Sequence, residues 1–201
     1  MRAVQKTIGK TFSRSAQTYP NHDALIHTDI GVRYNYSLLL WEVERAAKGL
    51  IKMGIERGDR VALWSPNIPE WVVGQLALAK VGAILVPIDP GAAHSDLRFM
   101  LEQSESRAII MARGVEDEEY VEMILDVRDQ VRHLENIFLI GRESHPEMIL
   151  WMELVALGED VDISSLDERE EGIRHIAISP SFHRVILEIG QLFRVLIESN
   201  W

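Results

Sequence analysis

Residues 71–88, WVVGQLALAKVGAILVPI, decide the fold because they carry a single charged side chain, Lys80. An apolar stretch of this length is first compared with a membrane span. Lys80 lies in the middle of it, and Gly74, Gly82 and Pro87 interrupt it. A transmembrane helix is therefore the weaker alternative, and the pattern favours a buried helix that runs into a buried strand.

Apolar strands alternate with amphipathic helices on both sides of this stretch. Strands that are apolar throughout are typical of a parallel sheet covered by helices on both faces. Right-handed crossovers then predict a doubly wound α/β layer. The predicted strands are 61–64, 83–88, 108–111 and 137–140, and the predicted helices run from Pro69 to about Val81, from a cap at Ser95, and from the acidic run 116–119 to near His133.

A helix and a hairpin precede this layer in the prediction. Apolar spacing from Ile8 to Tyr19 indicates the helix. The segments 24–27 and 32–36 are predicted strands, joined by turn residues that end at Gly31. A further helix is expected from an N-cap at Ser37 to Gly54.

The composition limits the classes of function. The chain has 201 residues, a formal net charge of −10 and no cysteine. An acidic balance disfavours nucleic-acid binding, and the missing thiols exclude disulfides, thiolate metal sites and a cysteine nucleophile. No signal peptide and no transmembrane segment are expected, and we expect a cytoplasmic location.

No motif for phosphate, metal or nucleophilic chemistry is present in the sequence, and we assign no catalytic, cofactor-binding or metal-binding residue. Three weaker candidates keep two interpretations each. His27 and Asp29 could bind a metal or lie in a solvated turn. Asp89 could contact a ligand at a strand's carboxyl end or form a turn with the Pro-Gly that follows. The run 116–119 could bind a cation or be a solvated helix start.

Four segments resemble the start of the adenylate-forming (AMP-binding) enzymes, most closely the acyl-CoA synthetases. Residues 32–39 are similar to the family's LTYxEL segment, although leucines stand where an acidic residue is usual. Residues 58–63, GDRVAL, are similar to its turn and strand. Residues 67–71, NIPEW, and 78–90, LAKVGAILVPIDP, are similar to its NxxEW and KAGAxxVPxxP segments. Their order and spacing also match, over residues 7 to about 158.

This resemblance implies a fatty-acid–CoA ligase that needs ATP, Mg²⁺ and coenzyme A. A carboxylate attacks the α-phosphate of ATP, and the thiol of coenzyme A then displaces AMP from the acyl-adenylate. The family's phosphate loop and catalytic lysine match no residue of this chain. The resemblance therefore implies an N-terminal fragment that is inactive alone and binds none of these cofactors. The alternative is a non-catalytic α/β interaction module derived from the family.

Residues 164–171 are polar and acidic, which is typical of a linker, and the last residues lose the family pattern. Residues 1–178 are assigned to an incomplete N-terminal subdomain, and 179–201 to a helical or irregular tail in which 185–197 could form an amphipathic helix. Shifting the codons for 182–187 by one base allows Ser-Ser-Gly-x-Thr-Gly, which is similar to the phosphate loop. One hypothesis is therefore an out-of-frame tail, and the other is a genuine divergent helix. For a fragment we also expect self-association through an exposed sheet.

Overall fold

The computed structural model describes residues 7–114 and 119–173 of the chain. The described part contains seven strands, seven α-helices and a short 3-10 helix. In chain order these are α1 Ile8–Thr18, β1 Asp23–His27, β2 Val32–Asn35, α2 Tyr36–Lys52, β3 Arg60–Trp64, α3 Pro69–Val81, β4 Ile84–Ile88, α4 His94–Ser104, β5 Ala108–Ala112, α5 Glu119–Arg128, β6 Asn136–Ile140, β7 Ile149–Leu150, α6 Trp151–Leu157, the 3-10 helix Gly158–Asp160 and α7 Ile163–Gly172.

A parallel sheet of five strands in the order β4-β3-β5-β6-β7 forms the centre of the fold. Alternate residues along its strands enter two separate cores, so Leu63 packs on one face and Trp64 on the other. Helices α2, α3 and α6 contribute to the first core, and α4 and α5 to the second. The predicted α/β sheet with helices on both faces is confirmed.

The apolar stretch 71–88 is divided between α3 and β4, as its glycines predict. Gly82 ends α3 with a left-handed backbone (φ 83°), which costs glycine little. Pro87 lies in β4, which pairs with a single strand, β3, in the described chain, and a strand at this position tolerates a residue without an N–H. Helix α3 has 13 residues, and none of the described helices is long and apolar enough to cross a membrane.

The antiparallel hairpin β1–β2 is confirmed, with Gly31 in its turn (φ 68°). The predicted cap of the following helix is wrong by two residues. Asn35 is the N-cap of α2, because its side-chain oxygen accepts a hydrogen bond from the Leu38 N–H at 2.8 Å, and Ser37 lies within the helix. Likewise α4 begins at His94, so Ser95 is inside the helix that it was expected to cap.

Two further segments differ from the prediction, and two others lie outside the described residues. The polar stretch 164–171 is typical of a linker, yet it forms most of α7, because Leu166 enters the core and Glu170 is buried beside Lys80. Helix α5 ends at Arg128 and not near His133, since Val131 turns back into the second core. Residues 116–118 and the expected helix 185–197 lie outside the described residues.

Two glycines allow α2 and the α6 region to approach closely. A Cβ built on Gly49 would lie 2.2 Å from the carbonyl oxygen of Leu154. A Cβ on Gly158 would lie 2.6 Å from the carbonyl oxygen of Arg45. Both obstacles are backbone atoms, so rotation of a side chain cannot relieve the overlap. The absence of a side chain at these positions therefore fixes the distance between the helices.

We expect Gly49→Ala to lower the free energy of unfolding by about 1–3 kcal/mol, the usual cost of overpacking. Helix propensity alone would change stability in the opposite direction, by about 1 kcal/mol, so the sign of the effect is informative. Urea denaturation followed by circular dichroism measures it. Lys52→Ala, at an exposed position of the same helix, is the matched control. An alanine at 49 that leaves stability unchanged or raises it would contradict the packing argument.

Candidate functional site

The strand order places a possible ligand crevice at the carboxyl ends of β3 and β5. The chain moves from β3 to β4 in one direction and then returns past β3 to β5. In open α/β sheets ligands bind at such a reversal, outside the carboxyl ends of the strands. The loop that follows β3 at Ser65 and the segment that follows β5 at Arg113 border this position.

Two stacked aromatic rings occupy one side of this position. Trp64, the last residue of β3, lies against Tyr120 in the first turn of α5, with ring centroids 3.9 Å apart and an interplanar angle of 15°. Both side chains are buried. The Tyr120 N–H also donates to the Arg113 carbonyl at 3.0 Å, which ties α5 to the end of β5. The stack therefore packs the start of α5 against the end of β3.

Asp89 forms a turn at the end of β4. Its Oδ1 accepts a hydrogen bond from the Gly91 N–H at 2.7 Å, and its carbonyl accepts from the Trp64 indole N–H at 3.0 Å. The Tyr120 hydroxyl donates to the Pro90 carbonyl at 2.6 Å. The side chains of Trp64 and Tyr120 therefore fix the turn through these hydrogen bonds. Of the two interpretations of Asp89, the contacts support the turn.

His27 connects the hairpin to the loop after β3. Its Nε2 lies 2.9 Å from the Asn67 carbonyl oxygen, which can only accept, so Nε2 carries the proton. Asp29 lies in the exposed turn, where its carboxylate accepts from Thr28. The two candidate metal ligands thus have different partners. Among the described residues no group of three His, Cys, Asp or Glu side chains could hold a metal ion.

At the opposite, amino end of the sheet there is a cleft of about 310 Å³ beside the turn that precedes β3. Its lining carries charges of both signs: Glu56, Arg57, Glu168 and Arg169, together with Gly172. Ligands of α/β proteins bind at the carboxyl ends of the strands and not at this end. We therefore assign no ligand to this cleft.

Sequence reasoning did not identify the contacts that organise the carboxyl edge. Trp64 and Tyr120 are 56 positions apart in the printed sequence, and the sequence signal was limited to an aromatic residue at a strand end and another at a helix start. The pKa of the Tyr120 phenol is raised, first by burial and then by the charges of Glu119 and Asp89. Its hydroxyl is thus favoured in the neutral form that donates to Pro90.

We expect Tyr120→Phe to lower the free energy of unfolding by about 1 kcal/mol at neutral pH, the usual net value of one hydrogen bond. The raised pKa means that the folded chain holds this proton more tightly than the unfolded chain. The stabilisation is therefore complete below about pH 10, the ordinary tyrosine pKa, and is lost as the pH rises further. Urea denaturation at neutral pH and above pH 10 should show the difference between the wild type and the variant shrinking.

Tyr19→Phe, at an exposed ring, is the control and should change stability by less than about 0.5 kcal/mol. A Tyr120→Phe effect that stays constant at alkaline pH would show that the phenolic proton is not involved.

Comparison with known proteins identifies the family to which this chain belongs. The sequence profile described as AMP-binding enzyme matches residues 12–186. YngI of Bacillus subtilis (strain 168) is 30% identical over 179 residues, which are 83% of this chain and 33% of YngI. The mitochondrial medium-chain acyl-CoA ligase ACSF2 of Rattus norvegicus is 36% identical over 124 residues, which are 62% of this chain and 20% of that protein.

A solved structure agrees at the level of the fold. The anthranilate CoA ligase AuaEII, in complex with anthranoyl-AMP, superimposes with a TM-score of 0.69 at 20% identity, over 76% of this chain and 28% of that one. The chain thus spans between a fifth and a third of the length of these proteins. Because the family profile covers most of the chain, the chain belongs to the AMP-binding enzyme family, whose members similar to it include acyl-CoA synthetases and ligases.

Proposed function

We propose that this chain is the N-terminal part of an ATP-dependent, AMP-forming acyl-CoA synthetase and is inactive alone. The observation that carries the proposal is the family match over residues 12–186. The share of the relatives that the chain spans, 33% of YngI and 20% of ACSF2, supports a partial enzyme.

The proposed reaction of the intact enzyme has two steps. A carboxylate oxygen bonds to the α-phosphorus of ATP while pyrophosphate leaves, which gives an acyl-adenylate. The sulfur of coenzyme A then bonds to the acyl carbon while AMP leaves, which gives the thioester, and the thiol loses its proton. Both steps build up negative charge on oxygen, so they require fixed donors or a cation nearby.

In the proposal, the described residues do not bind ATP with Mg²⁺. The carboxylate of Asp89 is bonded within its own turn, and the stacked rings of Trp64 and Tyr120 occupy the strand-end position. Among the residues that the structure describes, no group of three or more acidic or histidine side chains could hold a cation without other ligands. We therefore derive no step through this group. In the proposal, this part of the chain supplies a rigid sheet, and regions of the relatives that the chain does not span handle the phosphates.

A fatty acid is the proposed substrate, with the acyl length unassigned. In the proposal, this part of the chain does not select the acid. ACSF2, named a medium-chain acyl-CoA ligase, matches 62% of this chain in sequence, and AuaEII, named an anthranilate CoA ligase, matches 76% of it in fold. Selection by the acid's shape therefore belongs, in the proposal, to the remainder of the enzyme.

The proposal includes a cytoplasmic location. The absence of cysteine is compatible with a reducing compartment. One relative, ACSF2, is named as mitochondrial, so cell fractionation against a mitochondrial marker is the direct test of the compartment.

The purified 201-residue chain should show no ATP–pyrophosphate exchange above a protein-free blank, with or without medium-chain fatty acids or anthranilate. The reason is that, in the proposal, the groups that stabilise the departing pyrophosphate lie in regions of the relatives that this chain does not span. A full-length acyl-CoA synthetase assayed in parallel provides the positive control. Exchange that depends on an added carboxylic acid and on this chain would contradict the proposed inactivity.

A second candidate function is a non-catalytic interaction module derived from the family. It is favoured by the two cores, since the chain's own helices cover both faces of the sheet. The most exposed large apolar side chains lie on different elements and not on the sheet: Phe99, Met152, Ile30, Tyr19 and Trp41. Single exposed apolar residues are normal on monomers.

The two candidates differ in the expected association state. A fragment that lacks the rest of its enzyme should associate as its concentration rises and should bind a hydrophobic dye. A stand-alone module should sediment as a monomer of 22.9 kDa at every concentration and leave the dye unbound. Analytical ultracentrifugation with a parallel dye titration measures both properties. A monomer that binds no dye would contradict the fragment proposal and favour the module.

A further inference from the structure

A buried ammonium group joins three helices to the one that carries it. Lys80 lies on α3, and its side chain is 2% exposed. Its Nζ donates to Ser13 Oγ of α1 at 2.8 Å and to Glu170 Oε2 of α7 at 3.0 Å. Glu44 Oε1 of α2 lies 3.5 Å away. Three partners match the three donors of an ammonium, which makes burial of its charge tolerable.

The carboxylate of Glu170 occupies a space that Gly9 of α1 leaves open. A Cβ built on Gly9 would lie 2.4 Å from Glu170 Oε1. That oxygen is buried and has no hydrogen-bond partner in the structure. The ion pair with Lys80 is therefore the main compensation for bringing this carboxylate out of water.

Helix α7 has three other attachments of note, one of which is its C-cap Ile173, whose side chain lies against Gly82. Leu166 is fully buried in the first core, and an Arg169 N–H donates to the Ile55 carbonyl at 2.7 Å. The intervening Asp167 and Glu168 are exposed, as is Ile163 at the start of the helix. A short helix held by so few contacts can open without unfolding the sheet.

The charges make such an opening possible. If α7 leaves, Glu170 regains water, while Lys80 keeps the Ser13 hydroxyl and the carboxylate of Glu44, whose side chain is 31% exposed. Opening therefore leaves no isolated charge in the core. In the closed state the carboxylate of Glu170 forms a second ion pair with the Lys80 ammonium, at 3.0 Å.

From this arrangement we propose that α7 is a detachable strap, and that the Lys80–Glu170 ion pair holds it closed. The strap opens as a unit while the five-stranded sheet stays folded. This inference concerns the chain itself and does not depend on the proposed enzymatic activity.

Hydrogen exchange with mass spectrometry on the whole 201-residue chain tests the strap. Glu170→Gln keeps the size of the side chain and a carbonyl oxygen for Lys80 but removes the charge. We expect exchange in the α7 peptide to rise about tenfold or more, while peptides from β3 and β5 keep the wild-type rate. Glu168→Gln, which removes an exposed charge from the same helix, is the matched control and should leave α7 unchanged.

A second variant removes the positive member of the ion pair. Lys80→Met removes the ammonium and leaves Glu170 buried without a counter-charge, so α7 should again exchange faster than β3 and β5. Adding Glu170→Gln to Lys80→Met should then accelerate α7 less than the two single effects combined, because the charges act on each other. The proposal is overturned if Glu170→Gln changes α7 no more than Glu168→Gln does, or if it accelerates α7 and the strands equally.

Discussion

Burial of β3 on both faces and on both edges is the constraint on which the rest of the structure depends. Parallel partners flank it, β4 on one side and β5 on the other, and its residues from Val61 to Trp64 are fully buried. A tight turn cannot join a strand to a parallel neighbour, so each parallel neighbour of β3 requires a crossover connection. Those crossovers supply α3 on one face and α4 on the other, and both cores follow from this.

The elements around this strand were predictable where their signal is local. In the stretch 71–88, the lone charge, the left-handed Gly82 and the strand that contains Pro87 indicate a helix followed by a buried strand without reference to the rest of the chain. The turn at Gly31 is equally local. In each case the conformational preference of one residue agrees with the burial pattern around it, so no distant contact was needed to interpret it.

Elements that depend on distant partners were not predictable. The sequence of α7 resembles a polar linker, because nothing near Glu170 shows that a lysine 90 positions away neutralises it. The stack of Trp64 on Tyr120 depends in the same way on the crossover that brings α5 to the end of β3. The N-cap at Asn35 was missed for a smaller reason, since Asn35 and Ser37 are both good capping residues and the hairpin decides where the helix begins.

The family of this part of the chain is clear, whereas its sequence carries no recognisable catalytic motif. The positions of the family-like segments in the fold explain this difference. Three of the four segments that resemble the family, 58–63, 67–71 and 78–90, build β3, the start of α3 and the passage into β4, which are the parts that the sheet requires. At the strand ends, where an α/β fold usually binds its ligand, the structure uses its polar groups for internal contacts: Asp89 on Gly91, Tyr120 on Pro90 and His27 on Asn67. Groups engaged in such contacts fix the loops at this edge, and in the proposal this part of the chain acts as a support. Residues that pack the sheet identify a family without identifying what its members bind.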